Sequence, residues 1–101
     1  MIYKIIWKKE AEQEFDALDH SIKKLAISQF KKLQKSPQLG LPLGNKMGMD
    51  LSGYRKLYFF KKKYRIIYSL DEAGKKVKIF AVGQREDMAV YKEVLKRLES
   101  K

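Results

Sequence analysis

The residues best suited to chemistry in this sequence are the basic and aromatic side chains of residues 53–68. This segment reads GYRKLYFFKKKYRIIY and contains no acidic residue. Its basic residues are Arg55, Lys56, Lys61, Lys62, Lys63 and Arg65, and its aromatic residues are Tyr54, Tyr58, Phe59, Phe60, Tyr64 and Tyr68. Because cations bind phosphates and aromatic rings stack on bases, the segment predicts a surface that binds nucleic acid.

Composition narrows the class of protein further. The 101 residues predict a single domain over 1–101, and the hydrophobic fraction of 45% suffices for one small core. The 23 basic residues against 12 acidic ones give a net charge of +11, which attracts nucleic acid, an anionic membrane or an acidic protein. No long basic amphipathic helix supports a membrane partner. Without cysteine, signal peptide or membrane span, the sequence predicts a cytoplasmic protein.

Several kinds of catalytic site are excluded by what the sequence lacks. His20 is the only histidine and is interpreted as a solvated residue between two helices, so no histidine pair is available. No clustered ligands predict a metal site, and no glycine-rich phosphate loop predicts a nucleotide cofactor. Chemistry on a phosphate by cations remains. RNA supplies its own nucleophile, the 2′-hydroxyl, so cleavage needs positioning, a base, an acid and charge stabilisation.

The candidate catalytic set is Lys56, Arg65, Arg85 and Tyr91, with Tyr58 as an added ring. Simpler interpretations stay open. Three consecutive lysines, as in residues 61–63, are typical of a solvated turn, and Tyr91 has the helical spacing of a core residue. Arg85 has acidic neighbours with which it could pair. A binding protein without catalytic activity therefore remains an alternative.

Secondary structure is predicted in the order β-α-α-β-β-β-α. The expected elements are a strand at 2–7, a helix at 9–18, a second helix that Asp19 or Ser21 can cap and that Ser36-Pro37 ends, a loop at 37–50, strands at 54–60, 64–70 and 76–82, and a helix at 87–99. The second helix is expected to carry one apolar stripe, made of Ile22, Leu25, Ala26, Phe30 and Leu33. They predict an α+β fold: a small, antiparallel, curved sheet of about four strands, with the helical hairpin on one face and the other face open. Alternation places Tyr54, Lys56, Tyr58 and Phe60 on one face of their strand.

Taken together, these features resemble the RelE/ParE superfamily of toxins from type II toxin–antitoxin systems, and in particular its RelE-like branch. The resemblance covers nearly the whole chain. It includes LQKSP at 33–37, KYRIIYSL at 63–70 and VGQRE at 82–86, followed by VYKEVLKRL at 90–98. It implies a ribosome-dependent endonuclease that cuts mRNA in the decoding site by 2′-hydroxyl attack, without metal or cofactor. It also implies a cognate, RelB-like antitoxin.

The resemblance also implies residue roles. Arg65 resembles the arginine that holds the scissile phosphate, Arg85 the one that protonates the leaving group, and Tyr91 the tyrosine that orients the substrate. Lys56 resembles the first of two strand lysines, whereas Tyr58 stands where the second, the proposed base, is expected. Tyr58 itself, Lys56 or a lysine from 61–63 are the alternatives for the base. The expected RNA-binding residues are Arg55, Tyr58, Lys61, Lys62 and Lys63. A ParE-like inhibitor of DNA gyrase and a non-catalytic RNA-binding module are the alternatives.

Overall fold

The computed structural model describes residues 2–46 and 49–84. Along the chain these form β1 Lys4–Trp7, α1 Lys9–Asp16, α2 His20–Lys35, β2 Leu41–Lys46, β3 Met49–Phe59, β4 Tyr64–Asp71 and β5 Lys76–Gln84. Within these ranges the strands make one sheet in the order β1-β5-β4-β3-β2. The predicted α+β class is confirmed, and the helix expected at 87–99 lies outside the described residues.

The sheet is mixed and contains one strand more than expected. β1 runs parallel to β5, whereas the pairs β5–β4, β4–β3 and β3–β2 are antiparallel. The additional strand, β2, lies in the segment predicted as a loop. That prediction relied on prolines and glycines, which break strand patterns. An edge strand tolerates them, and β2 changes register between Pro42 and Gly44.

The two helices cover one face of the sheet and enclose the main core. Trp7 of β1 packs between Phe15 and Phe30, at ring-centroid distances of 5.4 and 4.9 Å. The buried members of this core are Ala11, Ile22, Ala26, Phe30, Leu33, Phe59, Ile66, Tyr68, Val77, Ile79 and Val82. Neither helix among the described residues is long and apolar enough to cross a membrane.

Two details of α2 differ from expectation. Leu25, predicted to face the core with Ile22 and Ala26, is exposed. At about 100° per residue it falls at the margin of the apolar stripe, where the sheet no longer covers it. Asp19 occupies the N-cap, but its side chain makes no capping hydrogen bond. The predicted end of the helix before Pro37 is confirmed, since α2 stops at Lys35.

The predicted alternation along β3 is confirmed up to Phe59. Leu57 and Phe59 pack in the helix-side core, and therefore Lys56 and Tyr58 belong to the opposite face. β3 ends at Phe59, however, so Phe60 begins a turn rather than extending that face. The opposite face is also less open than expected, because Ile67 and Ala81 are buried there.

A short segment between α2 and β2, residues 36–40, is fastened to the sheet by the buried Tyr68. The Tyr68 hydroxyl donates to the Pro37 carbonyl oxygen and accepts from the Gly40 N–H, each at 2.8 Å. Arg55 Nη1 donates to the Gly40 carbonyl oxygen, also at 2.8 Å. These bonds hold the segment against β3 and β4, and they satisfy backbone groups that have no strand partner.

Candidate nucleic-acid interface

Three of the predicted site residues lie together on the sheet face turned away from the helices. Tyr58 of β3 is directly opposite Arg65 of β4, and Lys56 is opposite Ile67, the next residue of β4 on the same face. Side chains paired in this way lie about 5 Å apart at their Cβ atoms. We call Lys56, Tyr58 and Arg65 the basic triad. Two cations and a phenol are thus adjacent on a single surface.

The lysine and the tyrosine of the basic triad contact each other directly. Lys56 Nζ lies 5.2 Å from the centroid of the Tyr58 ring, within range of a cation–π interaction. The contact limits the conformations of a long, flexible side chain. It therefore keeps the ammonium group on the triad's surface, where a phosphate could reach it.

Arg65 lies in a cleft of about 290 Å³ at the end of the sheet. Its side chain is only 3% exposed. Gly83 of β5 is opposite Arg65, and a Cβ placed there would meet no heavy atom within 4 Å, so the space over this strand is open. The cleft is lined by Glu14, Ala17, Leu18, Arg65, Ala81, Val82, Gly83 and Gln84.

Glu14 is a cleft residue that the sequence analysis missed. Its Oε1 atom accepts a hydrogen bond from the Val82 N–H at 3.1 Å, beyond the end of β1, where β5 has lost its strand partner on that side. The bond ties α1 to β5 and brings a carboxylate into the cleft that Arg65 lines. No signal in the sequence indicated this, because Glu14 is one of several acids on α1 and Val82 is distant along the chain.

A second cleft, of about 470 Å³, lies farther along the sheet and has aromatic walls. Tyr54 and Phe80 make an edge-to-face contact at 5.2 Å, and Lys8 Nζ lies 5.7 Å from the Phe80 ring centroid. Burial raises the pKa of Tyr54 above its ordinary value. Lys78 also lines this cleft, which combines rings and cations as the basic triad does.

The remaining predicted residues lie apart from the basic triad. Lys61, Lys62 and Lys63 are exposed in the turn between β3 and β4, as predicted for a hairpin tip. Arg55 belongs to the opposite face of β3, where it bonds to residues 36–40. Arg85 and Tyr91 lie outside the described residues. The strand that leads to Arg85 ends at Gln84, which is paired with Tyr64, next to Arg65.

No metal site is evident in the part of the chain that the structure describes. These residues contain no group of three or more histidine, cysteine, aspartate or glutamate side chains that could hold an ion.

Solved structures with this architecture include RelE and YoeB toxins. The chain resembles a mutant of the E. coli RelE toxin in the free state, with a TM-score of 0.74 and 23% identity over 96% of this chain and 98% of that one. It also resembles the RelBE2 toxin–antitoxin complex of Mycobacterium tuberculosis, with a TM-score of 0.69 and 24% identity over 84% of this chain and 100% of that one. The fold is therefore that of a RelE-like toxin.

The sequence itself identifies the family. Residues 5–89 match the family described as the ParE toxin of type II toxin-antitoxin system, parDE. The chain belongs to this family and is the toxin component of a type II toxin–antitoxin system. No curated protein sequence matches it.

Proposed function

We propose that this toxin is a ribosome-dependent endoribonuclease that cuts mRNA in the decoding site. The observation that carries the proposal is the basic triad: Arg65 lies directly opposite Tyr58, with Lys56 beside both on one surface. Two cations and a phenol side by side on one sheet face meet the needs of phosphate-ester cleavage, which depends mainly on positioning and charge stabilisation.

In the proposed reaction the RNA 2′-oxygen attacks the adjacent phosphorus, and the bond from phosphorus to the 5′-oxygen of the next nucleotide breaks. A base takes the 2′-hydroxyl proton and an acid protonates the leaving 5′-oxygen. This leaves a 2′,3′-cyclic phosphate and a free 5′-hydroxyl. Arg65 binds the non-bridging oxygens through its fork of N–H donors. Arg85 is proposed as the acid and Tyr91 as the residue that orients the substrate.

The base is proposed to come from the basic triad. Tyr58 stands where a RelE-like enzyme is expected to have a lysine, and Lys56 Nζ lies 5.2 Å from its ring. Both groups lie on the sheet face that carries Arg65. A second lysine would add a group of a kind that deprotonates readily when it is desolvated. The Tyr58→Lys variant is therefore expected to cleave faster than the natural sequence.

The decisive experiment is primer extension on mRNA from a translating extract. Wild-type toxin should produce cuts that require ribosomes, and Arg65→Ala should lower the cleavage rate about 10²- to 10³-fold, as expected when a transition-state donor is removed. Because Arg65 is buried, Arg65→Lys is tested as well, with folding checked by circular dichroism. It keeps the charge but loses the planar fork, so its cleavage rate should also fall.

Lys31→Gln provides the control, since Lys31 is an exposed lysine of α2 on the other side of the sheet. It should cut at the wild-type rate. Intact ribosome-bound mRNA with wild-type toxin would refute the proposal. Equal cutting by wild type and a folded Arg65→Ala would remove Arg65 from the mechanism, whereas equal cutting by Arg65→Lys would show that the charge suffices without the planar fork.

Inhibition of DNA gyrase is the second candidate function, because the family model that matches this chain is that of the ParE toxin. It predicts blocked supercoiling and double-strand breaks in DNA, with no mRNA cuts. A gyrase supercoiling assay on the same preparation separates the two functions.

We also propose that the toxin is neutralised by an antitoxin that covers the basic triad. RelE-type toxins have been solved in complex with RelB antitoxins, for example in the archaeal RelE–RelB complex from Pyrococcus horikoshii. For this chain the positive surface favours an acidic or amphipathic segment that orders on binding. Slower hydrogen exchange of the backbone amides around the basic triad in the complex than in the free toxin would support this arrangement.

A further inference from the structure

We propose that the hairpin tip, residues 60–63, is a second binding site for single-stranded RNA, in which a base stacks on Phe60 and the lysines bind the flanking phosphates. The inference deepens the proposed function, on which it rests for the identity of the ligand. It adds a contact point outside the basic triad, at the same end of the sheet.

The backbone of the hairpin tip is strained. Phe60, Lys61 and Lys62 have φ values of 51°, 55° and 65°, in the left-handed region that favours glycine. For other residues this conformation costs about 1–2 kcal/mol each. A bulky phenylalanine there is a clear outlier. Strained residues cluster at functional sites, which makes Phe60 a candidate for a binding role.

The Phe60 ring is exposed but firmly supported. It is 41% exposed, whereas the preceding Phe59 is 4% exposed. The Tyr64 ring lies between the two, with centroids 5.6 Å from Phe59 and 6.0 Å from Phe60. These three rings connect the tip to the core of the protein. Phe60 is therefore a preorganised platform, which lowers the entropy cost of binding a planar ligand.

Phe60 lines a cleft of about 530 Å³ together with two lysines, Lys62 and Lys63. Lys63 Nζ lies 5.7 Å from the Phe60 ring centroid. Of the residues that the structure describes, Phe60, Lys62, Lys63, Tyr64 and Gln84 line the cleft, and none of these five is acidic. Gln84 is the last described residue of β5 and is paired with Tyr64, the first residue of β4. The cleft therefore lies where these two strands meet the hairpin tip.

This combination fits a nucleotide better than an acidic peptide. Each nucleotide carries a flat base beside a phosphate, and here a flat ring lies beside ammonium groups. An acidic peptide would also occupy the lysines, but it would cover the Phe60 ring only if it placed an aromatic side chain beside its acids. Base–aromatic stacking contributes about 1–3 kcal/mol per base, and it occurs with single strands because their bases are free to splay.

The test measures binding of a fluorescein-labelled, single-stranded RNA by anisotropy over a range of salt concentrations. The probe carries 2′-O-methyl groups, so it has no nucleophile and stays intact. Phe60→Leu keeps an apolar side chain but removes the ring. It should weaken binding at least about 5-fold, the equivalent of a 1 kcal/mol stacking contribution, with an unchanged salt slope. Phe60→Tyr keeps the ring and should bind like wild type.

A second pair of variants separates a local phosphate contact from the general positive charge. Lys62→Gln should reduce the slope of log affinity against log salt by about 0.7, the value for one lost phosphate contact to a single strand. Lys31→Gln removes the same charge from α2 and should leave that slope unchanged. Thermal unfolding of each variant establishes that it is folded.

The inference is overturned if wild type does not bind the probe, if Phe60→Leu binds as tightly as wild type, or if Lys62→Gln and Lys31→Gln change the slope equally. It is also overturned if Phe60→Leu weakens binding of an acidic antitoxin peptide but not of RNA. Primer extension separates this from the proposed function. Cuts by wild type without a Phe60 effect on RNA binding refute the tip alone, whereas a Phe60 effect without cuts supports the tip and refutes the nuclease.

Discussion

Arg65 combines a permanent charge with nearly complete burial, and a charged side chain is seldom so enclosed unless its surroundings compensate for the lost water. A carboxylate, that of Glu14, lines the same cleft. Because Arg65 is so little exposed to water, the field of its guanidinium is screened less than that of a surface cation. At the scale of single residues, the proposed phosphate site therefore depends on a buried arginine and not only on the exposed lysines of the described residues.

Tyr68 provides the first prediction at this scale. Its hydroxyl serves both the Gly40 N–H and the Pro37 carbonyl, and Tyr68→Phe leaves both without that partner. We expect the free energy of unfolding to fall by about 1–3 kcal/mol, the cost of an unsatisfied buried polar group. Urea denaturation measures it. Tyr3→Phe, at a half-buried tyrosine of the same core, is the comparison; an equal loss in both variants would contradict the assignment.

The same hydroxyl predicts a dependence on alkaline pH. Burial raises the pKa of Tyr68, and the bond from Gly40 and the charge of Arg55 offset only part of this rise. Above pH about 10 the unfolded chain ionises this tyrosine while the folded protein does not. Stability should therefore fall as the pH rises through and above that value. Denaturation curves from pH 8 upwards should show a shallower loss for Tyr68→Phe than for wild type.

At the scale of elements, the β3–β4 hairpin and residues 36–40 determine what the sheet presents. The hairpin places Tyr58 and Arg65 opposite each other and ends in the strained tip. Arg55 donates a hydrogen bond to the Gly40 carbonyl oxygen and thereby holds residues 36–40. Lys56, its neighbour in the chain, belongs to the opposite face of β3 and to the basic triad. A shift of this short segment would therefore also displace β3, the strand that carries Lys56 and Tyr58.

Gly40 tests how tightly that segment is packed. A Cβ at Gly40 would lie 2.6 Å from the Tyr68 hydroxyl oxygen and 2.7 Å from the Lys56 carbonyl oxygen. The second of these is backbone and cannot rotate away, so Gly40→Ala must displace the segment or β3. We expect a loss of about 1–3 kcal/mol, measured by urea denaturation. Gln38→Ala, which alters an exposed side chain in the same segment, should change stability by less than about 0.5 kcal/mol. An unchanged Gly40→Ala would show that β3 is free to shift.

At the scale of the whole molecule, the dominant property is the net charge of +11. Like charges repel one another in the compact state, and they also attract a polyanion such as RNA. Salt acts on both effects. It should weaken RNA binding and at the same time relieve the repulsion within the protein.

Thermal unfolding between about 0.01 and 0.15 M salt tests this balance, since the screening length falls from about 30 to about 8 Å over this range. The midpoint temperature should rise with salt. Replacing Lys24 and Lys31, two exposed lysines of α2, by glutamine removes two charges and should make the rise smaller. A midpoint that falls with added salt would show that attractive ion pairs outweigh the repulsion.

The sequence by itself determined the features that depend on residues close together in the chain. The alternation of β3 and β4 separated Lys56 and Tyr58 from Leu57 and Phe59, because successive side chains of a strand point to opposite faces. Pro37 marked the end of α2, because a proline restricts the residue before it. The family likeness then indicated the toxin class, and the family match over residues 5–89 confirmed it.

Only the tertiary structure decided the features that depend on distant residues. It made β1 parallel to β5, turned part of the expected loop into the edge strand β2, and joined Glu14 to Val82, which is 68 residues away. It also assigned Arg55 to the support of residues 36–40 and Lys56 to the basic triad. Neighbouring cations look alike in a sequence, and their roles differ because the helices cover only one face of the sheet.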